Sequence, residues 1–243
     1  MVHARFHAPG ARLGQSIALP EEEAEHLVRV LRLKPGATIV VFDGHGREFE
    51  AIVESVGRRA VTARPTSVSQ PAPEPSVRLT LAVGVTRGDR MDAAVRDGAM
   101  LGVAALQPVL SAHAETSLSA LARAKRVERW RRIAVSSVKQ CGRAVVPDVR
   151  EPMGFDEYLA SEQADVRILL VEPRAARHGA LAGVSRPDSA ALLIGPEGGW
   201  TESEIDAARR AGFHAITLGQ RTLRADATPI AAIAVLQFVW GDL

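Results

Sequence analysis

Reactive side chains concentrate in two loops of this sequence. The first, Gly195-Pro196-Glu197-Gly198-Gly199, follows the apolar run Ala191-Leu192-Leu193-Ile194 and removes side-chain bulk at three of five positions. Glycines so placed let a ligand approach the backbone closely. The loop matches neither G-x-G-x-x-G nor G-x-x-x-x-G-K-S/T, and no lysine follows its glycines, so a dinucleotide or a nucleoside triphosphate is disfavoured. Taken alone it also reads as a tight strand-to-helix turn with no ligand. The second loop, Gly219 to Ala227, carries Arg224 and Asp226. Arg224 is a cation suited to stabilising developing negative charge or holding a phosphate. Asp226, the nearest carboxylate, is a candidate base or simply an anion near the amino end of the next helix.

These loops need strands before them and helices after them. An apolar strand ends at Ile194, and Thr201 with Glu204 forms a capping-box pattern that starts a helix stopping at Gly212. A strand over His214 to Leu218 precedes the second loop, and Thr228-Pro229 supply an N-cap and first residue for a helix through Trp240. Loops at the carboxyl ends of neighbouring parallel strands form the usual ligand crevice of an open α/β sheet. Upstream, Leu79–Val83, Leu106–Leu110 and Val166–Val171 read as further strands, the last leading into a third loop at Glu172-Pro173-Arg174. A helix over Arg90–Leu101 and a basic one over Leu118–Gln140 alternate with them, which argues for a mainly parallel sheet. The block Arg123, Lys125, Arg126, Arg129, Arg131 and Arg132 is either a solvated helix surface or a phosphate-binding face.

The amino-terminal part has a different texture. Short alternating runs at Thr38–Phe42, Glu48–Val53 and Ala60–Ala63, separated by Asp43-Gly44-His45-Gly46 and Gly57-Arg58-Arg59, predict a small barrel or curled sheet. Pro20 and Glu21-Glu22-Glu23 open a helix whose apolar positions are Leu27, Val30 and Leu31. Its polar side offers His26, Arg29 and Arg32, which together with Arg5 make a candidate phosphate-contacting patch. The proline- and serine-rich stretch from Arg64 to Val77 reads as a semi-rigid linker. This divides the chain into residues 1–70, a linker 71–77, and residues 78–243.

With 243 residues, a formal charge of +2 and 47% hydrophobic residues, the chain has ample core for two domains and too weak a net charge to argue for nucleic acid alone. Cys141 is the single cysteine, so no internal disulfide forms and a reducing compartment fits. Seven histidines without ligand spacing make a metal site unexpected, and no run reaches membrane-span length, so the cytoplasm is the expected location.

The sequence resembles the RsmE family of 16S ribosomal RNA uridine-N3 methyltransferases, within the SPOUT superfamily. The resemblance rests on Ile194 to Gly199, Leu218-Gly219, Leu223-Arg224 and an alanine-rich last helix. At the amino end it rests on Arg5-Phe6, the H-x-x-R-V-L-R run His26–Arg32 and Val41-Phe42-Asp43-Gly44. It implies an α/β fold in which a SPOUT methyltransferase domain with a carboxyl-terminal trefoil knot follows a small PUA-like β-barrel. It further implies S-adenosylmethionine held by three loops: Leu170, Val171 and Glu172; Ile194, Gly195, Pro196, Glu197, Gly198 and Gly199; and Leu218, Gly219 and Leu223. Arg224 and Asp226 would be catalytic, and Arg5, His26, Arg29 and Arg32 would contact RNA. The partners implied are 16S ribosomal RNA or the small ribosomal subunit, and a second copy of the chain, with no membrane and no metal.

Several positions depart from the family's pattern. Asp226 stands where a glutamate is usual, Asp97 and Met100 replace a lysine and a glutamate, Ala112-His113 replaces Glu-Arg, and Lys139 replaces a glutamate. Two other readings follow: a non-catalytic RNA-binding or ribosome-assembly protein that keeps the fold, and a ribose 2′-O-methyltransferase of the same superfamily.

Overall fold

The alternating amino-terminal runs form a five-stranded sheet, and the continuous apolar runs form a parallel one. The computed structural model describes residues 4–57, 60–86, 89–114, 116–174 and 185–242. Two units result, Met1–Glu74 with Val135–Val146, and Pro75–Ala134 with Pro147–Leu243. The turn expected at Gly57-Arg58-Arg59 and the loop from Gly84 to Asp89 lie partly outside the described residues.

In the first unit, β1 (Arg5–His7), β2 (Ile17–Ala18), β3 (Thr38–Phe42), β4 (Glu48–Val56) and β5 (Val61–Ser69) pair in the order β1-β3-β4-β5-β2. Only β1 and β3 are parallel. Among the described residues β1 and β2 do not pair, so of the small barrel or curled sheet expected, the ladder is the open, curled form. Inward residues Phe6, Ile39, Val41, Phe49, Ala51, Val53, Val61 and Ala63 pack with Leu19, Ala24 and Leu27 into one core. Strand β5 runs well into the stretch read as linker. Its Pro65 pairs with Ala51 beside a register shift, where a missing N–H costs the ladder least. Ser67 and Ser69 donate hydroxyl bonds across to Glu50 (3.0 Å) and Glu48 (2.8 Å).

The helix expected to bury Leu27, Val30 and Leu31 is short. Helix α1 (Glu21–Glu25) opens into a wider π-helical turn over His26–Leu31, ended by Arg32 at φ 53°. The changed register keeps Leu27 inside but leaves Val30 65% exposed.

In the second unit, β6 (Arg78–Gly84), α2 (Arg90–Met100), β7 (Ala105–Leu110), α3 (Leu118–Arg123) and α4 (Arg126–Cys141) come first. Then follow β8 (Asp148–Val149), β9 (Met153–Gly154), α5 (Phe155–Ser161), β10 (Val166–Leu170), β11 (Ser189–Ile194), α6 (Glu202–Arg210), β12 (His214–Ile216) and α7 (Thr228–Trp240). The sheet order is β12-β10-β11-β6-β7-β8, with β9 also beside β7, and every pairing is parallel. Strands buried on both faces need the unbroken apolar runs seen in β6 and β11.

Three details differ from the sequence reading. The helix read as continuous from Leu118 breaks at Lys125, whose φ of 50° no glycine or proline announces. Strand β12 stops at Ile216 rather than Leu218. Thr228 is the first residue of α7, not its cap: Ala227 holds the cap position, and the Thr228 hydroxyl donates to the Arg224 carbonyl at 2.8 Å. Helix α7 buries Ala232, Ile233, Leu236 and Trp240 but exposes Ile230, Val235, Val239 and, at 74%, Phe238.

Candidate functional site

The glycine loop is shaped from both ends. Ile194 closes β11 beside Leu170 of β10 and Val83 of β6. At the other end Thr201 caps α6: its hydroxyl accepts from the Glu204 amide (3.2 Å), and the Glu204 carboxylate accepts from the Thr201 amide (2.9 Å). Glu204 is buried, and its second oxygen accepts from the Ala112 amide at 2.7 Å, so one carboxylate ties the glycine loop's exit to the loop after β7. His113 adds a contact from Nδ1 to the Gly199 carbonyl at 3.2 Å. Trp200 folds back, its indole N–H donating to the Leu170 carbonyl at 3.0 Å and its ring lying 5.2 Å from that of Phe155.

Strands β11, β10 and β12 therefore deliver their following loops to one place. A cleft of about 250 Å³ is lined there by Leu170, Val171, Glu172 and Pro173, by Ile194 through Trp200, and by Thr217, Leu218, Arg221, Thr222, Leu223, Ala225 and Thr228. The two loops first read as leaving neighbouring strands flank β10 instead, and the third loop, at Glu172, sits between them. The glycines are required by what lies beside them. A Cβ on Gly84 would lie 2.6 Å from Pro196 Cδ and 2.7 Å from its nitrogen, and one on Gly195 would lie 3.0 Å from Trp200 Nε1. Gly199 has φ 67°, a region that favours glycine.

Most residues assigned to a cofactor line this cleft. Gly219 does not; its φ of 110° lets the chain turn while its carbonyl accepts from the Thr217 hydroxyl at 3.0 Å. Sequence reasoning missed Trp200, Thr217, Arg221, Thr222 and Thr228 in the lining, although all are immediate neighbours of the two motifs. The side chains of Arg224 and Asp226 are not part of the lining. They bond to each other at 3.1 and 3.2 Å on the surface, with Arg224 80% exposed. Glu197 turns outward to an ion pair with Arg90.

Two members of the basic block are paired within their own unit. Arg129 bonds to Asp92 at 2.5 and 2.9 Å, and Arg131 to Glu151 at 3.0 Å.

In the first unit the expected patch divides. Arg5 is a structural residue: its Nε donates to Glu48 (3.1 Å), and its two terminal nitrogens donate to Glu48 and to the carbonyls of Val138, Lys139 and Arg143 at 2.9–3.0 Å. All five N–H groups are directed at protein, leaving none for a phosphate. His26 is half-buried with its ring edge against Phe6 at 6.2 Å, whereas Arg29 is exposed and loosely paired with Glu25 at 3.3 Å, and Arg32 is exposed. Lys139, one of the departures from the family's pattern, bonds to Glu23 at 2.6 Å and lies over the Phe6 ring. Asp97 is buried, and one of its oxygens accepts from Arg96 at 2.8 Å.

Among the described residues no helix is long and apolar enough to cross a membrane, and no group of three or more potential metal ligands occurs.

Comparison with known proteins places these features in context. An RNA methyltransferase domain family matches residues 73–237, and an RNA methyltransferase PUA domain family matches residues 19–66. The chain is 30% identical over 238 residues to the ribosomal RNA small subunit methyltransferase E of Synechocystis, covering 96% of this chain and 77% of that one. The crystal structure of a ribosomal RNA small subunit methyltransferase E from Neisseria gonorrhoeae bound to S-adenosylmethionine shares 34% identity and superposes with a TM-score of 0.89, covering 99% and 98% of the two chains. A methyltransferase structure from Legionella pneumophila with bound S-adenosylmethionine shares 30% identity and a TM-score of 0.92 over 99% of both chains.

Proposed function

The chain belongs to the family of ribosomal RNA small subunit methyltransferase E, and we propose that it transfers a methyl group from S-adenosylmethionine to N3 of a uridine in 16S ribosomal RNA. The observation that carries this reading is the meeting of three loops from adjacent parallel strands around a cleft whose glycines leave backbone exposed to a ligand.

The cleft fits S-adenosylmethionine in the character of its walls. Leu170, Ile194, Leu218 and Leu223 offer apolar surface for an adenine ring, and the backbone of the Gly195–Gly199 loop adds polar groups to the same wall. Glu172 supplies a carboxylate at the rim suited to a hydroxyl or an ammonium group. When bound, S-adenosylmethionine supplies a sulfonium-activated methyl group, and the acceptor nitrogen gives up its proton as the new N–C bond forms. Holding the acceptor in line is the main task of the protein. Asp226 is the proposed acceptor of the N3 proton. Arg224, bonded to it, is the proposed group that stabilises the charge spreading onto the flanking uracil carbonyls. Both act from the rim, so RNA docking must bring the base to them.

In this reading residues 1–70 are the RNA-binding domain, with Arg29, Arg32 and His26 as its contacts, and residues 78–243 the catalytic domain, its carboxyl-terminal segment threaded as a trefoil knot. The exposed apolar side of α7, with Phe238 at its centre, is the proposed contact of a homodimer. The protein works in the cytoplasm on 16S ribosomal RNA or the small subunit.

Calorimetric titration with S-adenosylmethionine of the parent and of Gly198→Val, followed by nucleoside mass spectrometry of treated small-subunit RNA, tests the proposal. A Cβ added at Gly198 would lie 3.1 Å from His113 Cβ, and valine adds two methyl groups beyond it, so the variant should lose binding. Parent binding together with 3-methyluridine supports the reading. Binding without a methylated base makes the chain a non-catalytic RNA-binding protein, and a 2′-O-methylated nucleoside moves the acceptor to the ribose.

A further inference from the structure

The charged side chains around the cleft divide into committed and uncommitted ones. Glu197 is paired with Arg90, and Arg224 with Asp226. Two charged residues of the lining are left, Glu172 from the loop after β10 and Arg221 from the loop after β12. Among the described residues neither side chain has an ion pair or a hydrogen bond, and they do not pair with each other. Arg221 is also the one basic side chain among the described residues that line the cleft. Gly219, at φ 110°, turns the chain two residues before it.

An anion and a cation held open in one wall, each without a partner, match a ligand that brings both charges with it. The amino-acid end of S-adenosylmethionine is such a group, an α-carboxylate and an α-ammonium on one carbon. Its sulfonium gives a further constraint. A guanidinium beside a cationic sulfonium is repelled by it, unless an anion of the ligand meets the guanidinium. The α-carboxylate is the only anion the ligand has.

We propose that Arg221 and Glu172 hold the amino-acid end of the cofactor, the Arg221 guanidinium donating to the α-carboxylate and the Glu172 carboxylate accepting from the α-ammonium. This rests on the S-adenosylmethionine reading of the cleft. The guanidinium presents two parallel N–H donors to a carboxylate, a match that a lysine does not offer. Both residues are exposed, so the ligand reaches them without a rearrangement of the core. The pair makes the cleft selective for adenosyl thioethers and sulfoniums that carry an amino acid, against nucleosides that lack one.

The test compares two ligands that share adenine, ribose and a 5′-thioether. S-adenosylhomocysteine has the amino-acid end, and 5′-methylthioadenosine has a methyl group in its place. Both are titrated calorimetrically, to millimolar concentration, into the full-length parent and into Arg221→Gln, Arg221→Lys and Glu172→Gln. Arg221→Gln should bind S-adenosylhomocysteine about ten- to a hundredfold more weakly, the loss of hydrogen bonds to a charged group, and 5′-methylthioadenosine as the parent does. Arg221→Lys should fall between, and Glu172→Gln should again weaken only the ligand with the amino acid. Unfolding midpoints should match the parent, because both side chains are exposed and unpartnered. Arg221→Gln that binds S-adenosylhomocysteine like the parent overturns the proposal. So does an equal loss for both ligands, which would make Arg221 a residue that shapes the loop. A parent that binds neither ligand removes the cofactor reading itself, and the proposal with it.

Discussion

Replacing Gly84 by alanine puts one methyl group where the backbone of the glycine loop already is. Gly84 ends β6, and its added Cβ would sit 2.6 Å from Pro196 Cδ, 2.7 Å from Pro196 N and 3.2 Å from the Gly195 carbonyl carbon. Ordinary contact begins at 3.4 Å, so the proline nitrogen must retreat by 3.4 − 2.7 = 0.7 Å. No flexible side chain can absorb this, because the opposing atoms are main chain and a ring fused to it. Both strands are also fixed by pairing, Val83 with Ile194. The displacement therefore falls on Gly195-Pro196, in the wall of the cofactor cleft. Overpacking of this kind costs about 1–3 kcal/mol, which for a chain of this size lowers the unfolding midpoint by about 2–12 °C. Cofactor binding should suffer more, since three loops must converge within less than an ångström. Gly154→Ala is the control: φ at Gly154 is −70° and nothing lies within 4 Å of the added atom. Differential scanning calorimetry and titration with S-adenosylmethionine read both effects. If Gly84→Ala binds S-adenosylmethionine like the parent and melts at the same temperature, the claim that β6 buttresses the glycine loop is wrong.

Other substitutions probe the remaining contacts. Glu204→Gln replaces one of two carboxylate oxygens that accept from the Ala112 and Thr201 amides, so it should cost about 1–3 kcal/mol by calorimetry and weaken S-adenosylmethionine binding; an unchanged midpoint contradicts the tie between the two loops. Arg224→Ala removes an exposed ion pair, so stability should change by less than about 1 kcal/mol, while methyl transfer should fall about a hundredfold or more if Arg224 stabilises charge on the base. Equal turnover would remove Arg224 from the mechanism. If the exposed side of α7 is the dimer contact proposed above, the parent should sediment as a dimer and Phe238→Glu as a monomer with an undiminished unfolding midpoint; a parent that sediments as a monomer removes the contact. Asp43 is buried, which alone would raise its carboxyl, but amide hydrogen bonds from His45 and Arg47 and the Arg47 side chain hold it below the usual carboxylate range. Its contribution is thus complete above the unfolded value, about pH 4, and is lost as pH falls through the lower folded value. Asp43→Asn should be less stable at pH 7 and lose less stability than the parent under acid.

Strands β10 and β11 could be read from the sequence because Ile168–Leu170 and Ala190–Ile194 are short apolar runs of the kind that strands buried on both faces require, whereas the two-residue strands β8 and β9 carry no such pattern. Helix α6 was equally legible, since Thr201 and Glu204 state its start in side-chain chemistry and Gly212 its stop. Long-range partners were not. Nothing near Arg5 announces that carbonyls at Val138, Lys139 and Arg143 will take its donors, so it read as a surface cation. The break at Lys125 was hidden because a lysine adopts positive φ without any local signature, and the π-helical turn at His26–Leu31 moved Val30 outward against a helical spacing that looked regular. Within the cleft the glycine motifs marked the loops, while Arg221, Thr222 and Trp200 joined the lining through loop geometry that spacing alone does not encode.

The order of the strands also bears on how the protein is made. Strand β6 enters the sheet first in sequence, yet its hydrogen-bonding neighbour β11 begins at Ser189, and the lining of the cleft extends to Thr228. Pairing across so long a separation closes slowly, because the loop entropy is lost before the contacts form. A ribosome making this chain must therefore synthesise almost all of it before the cleft can exist. Cofactor capture by nascent chains held at successive lengths should switch on only once α7 has emerged.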